Sequence, residues 1–222
     1  MLFVIYFDII LAKCKCRLKI FDGGIFFGFT LSGLLNGCDI LRSDYVSKDN
    51  LDKILAALTY ENELVLRVCI STGLRVGDVL LMRSDKLAKR MSIRELKTGK
   101  IKRIFLSDEL LDKLIRNSGK IWVFSGRLDY RKHRSRQAVW KDVKRAAKAF
   151  RMPQNVTPHS TRKYYAVKAL NASDGDLKAV QKSLNHSDPA VTMVYAMADS
   201  ITAKKMKKKS PAKGVKKRDF VE

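Results

Sequence analysis

Six residues have side chains that suit the transfer of a phosphoryl group, and each stands beside a predicted helix start or tight turn. They are Arg75 in TGLRVGD, Lys97 in LKTGK, His159 and Arg162 in PHSTR, His186 in LNH, and Tyr195 in VTMVY. Two arginines can bind the non-bridging oxygens of one phosphodiester, and a lysine can protonate a leaving alkoxide. A phenol attacks phosphorus only when cations or a base assist it. The set predicts phosphoryl transfer in which fixed cations replace Mg²⁺.

The elements that must hold the first two of these residues are helices and a hairpin. Apolar residues at helical spacing follow Ser47, and a second helix ends at Gly73, directly before the segment that carries Arg75. The runs MSIREL and IKRIFL flank the basic turn that carries Lys97, which predicts a hairpin.

The remaining candidates fall on predicted helices near the carboxyl terminus. One helix begins after Thr157 at a proline, and another begins at Ser187 or Asp188, again with a proline next. The apolar run at residues 122–124 is consistent with a buried strand fragment. The predicted fold class is therefore mainly α with a small antiparallel β-sheet.

The charge of the chain indicates a polyanionic partner. The 222 residues hold 45 Lys and Arg against 22 Asp and Glu, a net charge of +23, and residues 46–222 hold 40 and 18 of these. This surplus exceeds what solubility needs, so nucleic acid is the first expectation and an anionic membrane surface the second. A basic cluster predicted to contact phosphates comprises Arg127, Arg131, Lys132, His133, Arg134 and Arg136.

Metals, cofactors and disulfides are not expected. The four cysteines are few and irregularly spaced, which excludes a disulfide framework and favours a reducing cytoplasm. Cys14 and Cys16 form only a C-x-C, which we interpret as reduced thiols rather than a metal site. No cluster of carboxylates suits two Mg²⁺ ions.

Three segments are predicted along the chain. Residues 1–45 form an apolar appendage whose runs are too short to span a membrane, and whose positive charge follows the first run, unlike a signal peptide. Residues 46–202 form the catalytic domain. Residues 203–222 form a basic tail that serves either as a non-specific DNA tether or as a disordered tail without a site-specific role.

The order and spacing of the six residues resemble the catalytic domain of the tyrosine recombinases, the phage integrase family, over residues 46 to about 202. That family has a T-G-x-R box, a hairpin lysine, an H-x-x-R box, and an L-G-H box nine residues before its tyrosine, and His186 and Tyr195 keep that spacing. Asp78 matches an acid that buttresses the family's active site. The chain departs from the pattern at Asn185, where the family usually has Gly, and at Lys163, where His is frequent.

The resemblance implies a role for each residue. Tyr195 attacks the scissile phosphate and leaves a 3′-phosphotyrosyl intermediate and a free 5′-hydroxyl. Arg75 and Arg162 hold the phosphate, and His186 donates a further hydrogen bond. Lys97 protonates the 5′-oxygen.

Simpler interpretations stay open for three positions. His159 is implied to assist proton transfer, although it could also merely cap its helix. Tyr195 stands among apolar residues and could belong to the core. Lys100 and Lys102 lie on the same hairpin as Lys97, and either could reach DNA in its place.

The function implied by the resemblance is that of a site-specific DNA recombinase or integrase. Its partner would be double-stranded DNA, on which the family assembles as a tetramer at paired sites, with no membrane involved. We expect a prokaryotic or phage-encoded protein of the cytoplasm, associated with the nucleoid. The family's separate amino-terminal DNA-binding domain is not recognisable in residues 1–45. Two alternatives therefore remain, a catalytically impaired DNA-binding remnant and a DNA-relaxing enzyme similar to type IB topoisomerases.

Overall fold

The structure is a computed structural model, and it describes residues 43–209. Within that range the chain is mostly helical with one two-stranded antiparallel sheet, which confirms the predicted fold class. The amino-terminal part contains α1 (Lys48–Ala56), α2 (Tyr60–Thr72), α3 (Val76–Leu80), β1 (Arg90–Arg94), β2 (Ile101–Phe105) and α4 (Asp108–Asn117). The carboxyl-terminal part contains α5 (Arg136–Ala149), α6 (Pro158–Ala172), α7 (Leu177–Leu184), α8 (Pro189–Ala196) and α9 (Ala198–Lys209). A single 3₁₀ turn, Ser84–Lys86, precedes β1.

Local sequence signals account for the helix ends that frame the site. α2 ends at Gly73, whose φ of 67° lies in the left-handed region that a side chain rarely adopts. α6 begins with a capping box, in which the Thr157 hydroxyl accepts from the backbone of the first turn and the Ser160 hydroxyl accepts from the Thr157 N–H. A proline occupies the first turn. Asp188, one of the two residues predicted to open α8, caps it by accepting from the backbone N–H of Ala190.

The hairpin forms where it was predicted, with the basic turn between its two strands. Arg90 pairs with Phe105 and Arg94 with Ile101, so Ile93 and Ile104 face the core while their neighbours face solvent. The Gly99 backbone N–H donates to the Glu95 carbonyl at 2.8 Å and closes the turn, with Gly99 at a φ of 67°.

Two apolar clusters hold the helices together. The larger one surrounds α2 and includes Leu64, Val68 and, from α5, Val139 and Val143. The smaller one joins α6 to α7 through Ala166, Val180 and Leu184, and Tyr195 packs partly against it. The candidate nucleophile thus rests on a minor cluster at one end of the domain.

The structure differs from the sequence prediction at residues 122–124. Val123 and Phe124 are buried as expected, but Trp122 makes only an isolated bridge with Arg83. The backbone bonds of its next two residues go to different segments: the Val123 N–H donates to the Met82 carbonyl at 3.0 Å, and the Phe124 carbonyl accepts from the Arg134 N–H at 2.7 Å.

The described residues include short segments on both sides of the predicted catalytic domain, residues 46–202. Ser43 and Asp44 are buried, and Asp44 Oδ1 accepts from Lys205 Nζ of α9 at 2.7 Å. Helix α9 continues to Lys209 and so includes the first seven residues of the predicted basic tail. Residues 1–42, with Cys14, Cys16 and Cys38 of the predicted appendage, and residues 210–222 of the tail lie outside the described residues.

Among residues 43–209, no helix is both long and apolar enough to cross a membrane.

Candidate active site

Arg75 lies in the turn between α2 and α3, where it occupies the position that caps α3. Its Nη1 donates to Glu95 Oε2 at 2.7 Å, and the Glu95 side chain is fully buried. Gly73 opens this turn, and a Cβ built there would lie 2.5 Å from the Tyr165 ring. The close packing and the left-handed backbone together require glycine two residues before Arg75.

Arg162 is buried within α6 and connects two other elements. Its Nη1 donates to the Gly73 carbonyl, and its Nη2 donates to the Leu184 carbonyl at the end of α7 at 2.6 Å. Burial, followed by repulsion from Arg75, lowers the pKa of Arg162 to about 10, so the guanidinium stays charged at neutral pH. Its Nε has no partner among the described residues. A cation fixed in this way suits the binding of an anion.

Arg75 and Arg162 line a common pocket of about 430 Å³. The polar and charged residues of its lining are Arg75, Asp78, Lys97, Arg136, His159 and Arg162. Four of the six candidates therefore surround one cavity, although they come from three separate parts of the sequence. Four of these six groups are Lys or Arg and one is an acid, so the cavity has the net positive charge of an anion site.

Lys97 is the hairpin lysine that faces this pocket. Its residue is exposed, and its side chain has no hydrogen bond or ion pair with the described part of the chain. Lys102 instead points inward, where its Nζ donates to the Thr72 carbonyl at 2.6 Å. Burial and the charge of Arg162 lower the pKa of Lys102 to about 8. Of these two lysines, only Lys97 has an ammonium available to a molecule in the pocket.

Tyr195, on α8, stands between two histidines. Its hydroxyl is hydrogen-bonded to His159 Nε2, and the two ring centroids are 5.5 Å apart at an interplanar angle of 85°. The centroid of the His186 ring lies 5.1 Å from that of Tyr195 at an interplanar angle of 73°, and His186 Nδ1 is 3.2 Å from Thr192 Oγ1. The edge-to-face packing holds the phenol ring in one orientation.

The protein environment keeps both histidines neutral at physiological pH. Nearby protein atoms limit hydration of the His159 ring although part of the residue is exposed, and this lowers its pKa to about 4 with help from Arg162 and Lys163. Burial and the same arginine lower the pKa of His186 to about 4. Burial raises the pKa of Tyr195, while Arg162 and Arg75 act in the opposite direction. A neutral His159 Nε2 can accept the phenolic proton.

Asp78 and Asn185 fix the backbone next to the candidate residues. Asp78 is buried in α3, and its Oδ1 accepts from the Leu96 backbone N–H at 2.9 Å, which ties the hairpin turn to α3. Asn185 ends α7 with a φ of 52°, in the left-handed region. This backbone conformation explains why a glycine suits the position before His186, and why asparagine is an acceptable replacement.

Lys163 lies near Tyr195 but does not line the pocket. Its Nζ donates to the Ser43 carbonyl and is 6.0 Å from the centroid of the Tyr195 ring. Burial lowers the pKa of Lys163 to about 8.

Sequence reasoning missed Glu95 and did not single out Arg136. Arg136 was one of six residues in a basic cluster, and only its place at the start of α5 brings it into the pocket. Glu95 continues the inward-facing series of β1 after Ile93, and an acid at an inward position of a strand is the signal that would have identified it.

Across residues 43–209, no three His, Cys, Asp or Glu side chains are grouped so that they could hold a metal ion.

Comparison with known proteins supports the resemblance inferred from the six residues. The model of the Phage integrase family matches residues 44–200. Tyrosine recombinase XerD of Lacticaseibacillus casei is 28% identical over 152 residues, which are 62% of this chain and 50% of that protein. XerD of Staphylococcus aureus is 26% identical over 179 residues, 71% of this chain and 60% of that protein. The chain thus spans half to three fifths of the length of these two relatives.

Solved structures share the fold at lower sequence identity. A crystal structure of XerA recombinase has a TM-score of 0.59 at 19% identity, and the match covers 75% of this chain and 65% of the XerA chain. A lambda integrase dimer bound to a COC′ core site has a TM-score of 0.60 at 22% identity, with coverages of 70% and 60%. These similarities concern the arrangement of the helices and the hairpin.

Proposed function

Because the chain belongs to the phage integrase family, we propose that it is a site-specific DNA recombinase that cleaves and rejoins DNA through a 3′-phosphotyrosyl intermediate. The observation that carries this proposal is the Tyr195 hydroxyl, hydrogen-bonded to His159 beside the pocket that Arg75 and Arg162 line. A phenol, a neutral base and two cations in this order are what in-line attack on a phosphodiester requires.

The first half of the reaction is attack by Tyr195. His159 Nε2 takes the phenolic proton as the tyrosine oxygen forms a bond to phosphorus, so the nucleophile is activated without a metal. The two ring contacts of Tyr195 limit its rotation, which lowers the entropic cost of alignment.

The charge that develops on the phosphorane is stabilised by fixed donors. Arg75 and Arg162 bind the non-bridging oxygens, and His186, whose ring also packs against Tyr195, donates a further hydrogen bond. Arg162 is held by two carbonyls before DNA arrives, so its placement costs little reorganisation during the reaction.

The second half is departure of the 5′-oxygen. Lys97 transfers a proton to this oxygen as the bond to phosphorus breaks, which gives a free 5′-hydroxyl and the covalent intermediate. Rejoining reverses these steps, with a 5′-hydroxyl from either the same strand or a partner strand.

Double-stranded DNA is the proposed substrate, and a tetramer on paired sites is the proposed assembly. A lambda integrase neighbour forms a tetramer on a Holliday junction, and the net charge of +23 suits a polyanion. In this proposal residues 46–202, with the extensions described above, act as the catalytic domain, and the protein works at the nucleoid in the cytoplasm. Asp78 acts as the buttress of the hairpin turn.

The test is formation of a covalent adduct on a nicked DNA substrate from which the cleaved fragment diffuses away. We expect wild-type protein to form a DNA adduct that survives denaturation and excess EDTA, and Tyr195→Phe to form none. Phe keeps the ring packing and removes only the oxygen, so DNA affinity and melting temperature should stay unchanged. Tyr60→Phe, at a half-exposed tyrosine remote from the pocket, is the matched control.

Two results would redirect the proposal. DNA binding without any adduct from the wild-type protein would indicate a catalytically impaired DNA-binding remnant. Relaxation of supercoiled plasmids of unrelated sequence would indicate an enzyme similar to type IB topoisomerases.

A further inference from the structure

Glu95 follows the last residue of β1 and connects two parts of the site that the sequence separates by twenty positions. Its Oε2 accepts from Arg75 Nη1 at 2.7 Å and from Thr98 Oγ1 at 2.9 Å. Thr98 directly follows Lys97 in the turn. A single carboxylate oxygen therefore bonds both to a phosphate-binding arginine and to the neighbour of the hairpin lysine.

The backbone of Glu95 closes the same turn. Its N–H donates to the Lys100 carbonyl at 2.9 Å, and its own carbonyl accepts from the Gly99 N–H at 2.8 Å. One residue further along, the Leu96 N–H reaches Asp78 Oδ1. The Lys97 side chain makes no hydrogen bond to any residue between 43 and 209, so the placement of its ammonium depends on how these neighbours fix the turn.

The energetic environment of Glu95 argues against a role in stability alone. The side chain is completely buried, and its Oε1 has no partner among the described residues. Removing a carboxylate from water is costly, and one ion pair to a partly exposed arginine with one hydrogen bond from Thr98 offsets this incompletely. An apolar residue here would continue the inward series of β1 at less cost.

From this geometry, and resting on the function proposed above, we propose that Glu95 is a positioning residue that sets Arg75 and Lys97 in register with each other. Arg75 binds the phosphate and Lys97 protonates the leaving oxygen, so the two must meet opposite atoms of the same phosphodiester. Glu95 holds Arg75 directly and holds Lys97 through Thr98. It touches neither DNA nor the reacting atoms.

A change of leaving group separates these two actions. In a substrate with sulfur at the 5′-bridging position, attack by Tyr195 breaks a P–S bond and releases a thiolate. A thiol has a far lower pKa than an alcohol, so the thiolate leaves without a proton and Lys97 becomes dispensable. Defects in phosphate binding by Arg75 persist with this substrate.

The experiment compares single-turnover cleavage of the oxygen and sulfur substrates by the full-length chain. We expect Glu95→Gln to lose about 100-fold on the oxygen substrate and about 10-fold on the sulfur substrate, because only the Lys97 part is bypassed. Thr98→Val removes only the hydroxyl, and should lose about 10-fold on oxygen with full recovery on sulfur. Lys97→Ala gives the reference ratio for complete loss of the acid.

The matched control is Glu63→Gln. Glu63 also pairs with an arginine at 2.7 Å, but on the exposed surface of α2. We expect no change with either substrate. Thermal melting of each variant identifies unfolding, and Thr98→Val keeps the inference testable if Glu95→Gln does not fold.

Three outcomes would overturn the inference. Equal losses on the two substrates for Glu95→Gln, with no loss for Thr98→Val, would show that Glu95 positions Arg75 but not Lys97. An increase in cleavage rate would mean that Glu95 competes with the phosphate for Arg75. Wild-type protein that binds DNA yet cleaves neither substrate would overturn the proposed function itself, and with it the positioning role.

Discussion

Arg162, on α6, is 1% exposed and is held by two backbone carbonyls, whereas Lys97, in the hairpin turn, is exposed and has no side-chain bond within residues 43–209. The helical side of the candidate site also holds Tyr195 between two histidine rings. The hairpin side has open space around Gly99, where a Cβ would contact nothing within 4 Å.

This difference distinguishes Arg162, whose contacts also stabilise the fold, from Lys97, which the hairpin holds at the surface. Arg162 joins the end of α2 to the end of α7, so the same bonds that place the cation also stabilise the domain. Lys97 contributes no contact to the core. Its position depends on the short turn and on Asp78 and Glu95 beneath it. A phosphate-binding group is thus preorganised, while the proton donor can adjust to bound DNA.

The largest expected effects come from one substitution on each side. Arg162→Lys should reduce the rate of adduct formation by about 1,000-fold. It should also lower the free energy of unfolding by about 2–3 kcal/mol, because one ammonium cannot reach both carbonyls. Lys97→Ala should reduce the rate by about 100- to 10,000-fold and change the free energy of unfolding by less than about 0.5 kcal/mol. Urea unfolding and single-turnover cleavage measure the two quantities separately.

A reversed result would remove the distinction. If Lys97→Ala destabilised the protein as much as Arg162→Lys, the hairpin turn would be part of the folded core. Full stability of Arg162→Lys would show that the two carbonyl bonds contribute little to the fold.

The next effect concerns pH and sharpens the account of the helical side. The pKa values of His159 and His186 are lowered to about 4 in the folded protein, from 6.5 in an unfolded chain. Between these values the unfolded chain takes up protons that the folded protein does not, so stability falls as the pH falls from about 6.5 to about 4. Allowing for the exposure of His159, we expect a loss of about 2–3 kcal/mol over that window.

Urea unfolding at intervals between pH 7 and pH 4 measures this slope. The double variant with His159→Gln and His186→Gln should flatten it, because neither position then binds a proton. An unchanged slope in that variant would assign the acid sensitivity to the carboxylates instead.

Sequence alone predicted the helical elements and the hairpin because their ends carry strong local signals. Gly73, Thr157 and the proline after Asp188 each restrict the backbone in a way that depends on near neighbours in the chain. The six candidate residues could be grouped because their types and spacing resemble a known family. The structure then brings Arg75, Lys97, His159 and Arg162 around one pocket.

The contacts that hold these residues could not be predicted in the same way. The bonds from Arg162 to the carbonyls of Gly73 and Leu184 span 89 and 22 positions of the sequence, and backbone carbonyls leave no signal in residue type. The bond from Arg75 to Glu95 requires knowing that an inward strand position meets the α2–α3 turn. The ion pair between Asp44 and Lys205 joins residues 161 positions apart, so it could not be predicted from the sequence either.

The smallest expected effect strengthens the helical side without touching a reacting group. Asn185 ends α7 in the left-handed conformation, and its buried Nδ2 has no partner among the described residues. Asn185→Gly should therefore raise the free energy of unfolding by about 0.5–1 kcal/mol, since glycine adopts this conformation without strain and leaves no unsatisfied donor. The greater freedom of glycine in the unfolded chain works against this gain but is smaller than the two contributions together. Because Leu184, the preceding residue, accepts the bond from Arg162, a firmer end to α7 should also reduce the destabilisation caused by Arg162→Lys. A double-mutant cycle measured by urea unfolding gives this coupling, and strictly additive effects would show that the α7 end and the Arg162 anchor act independently.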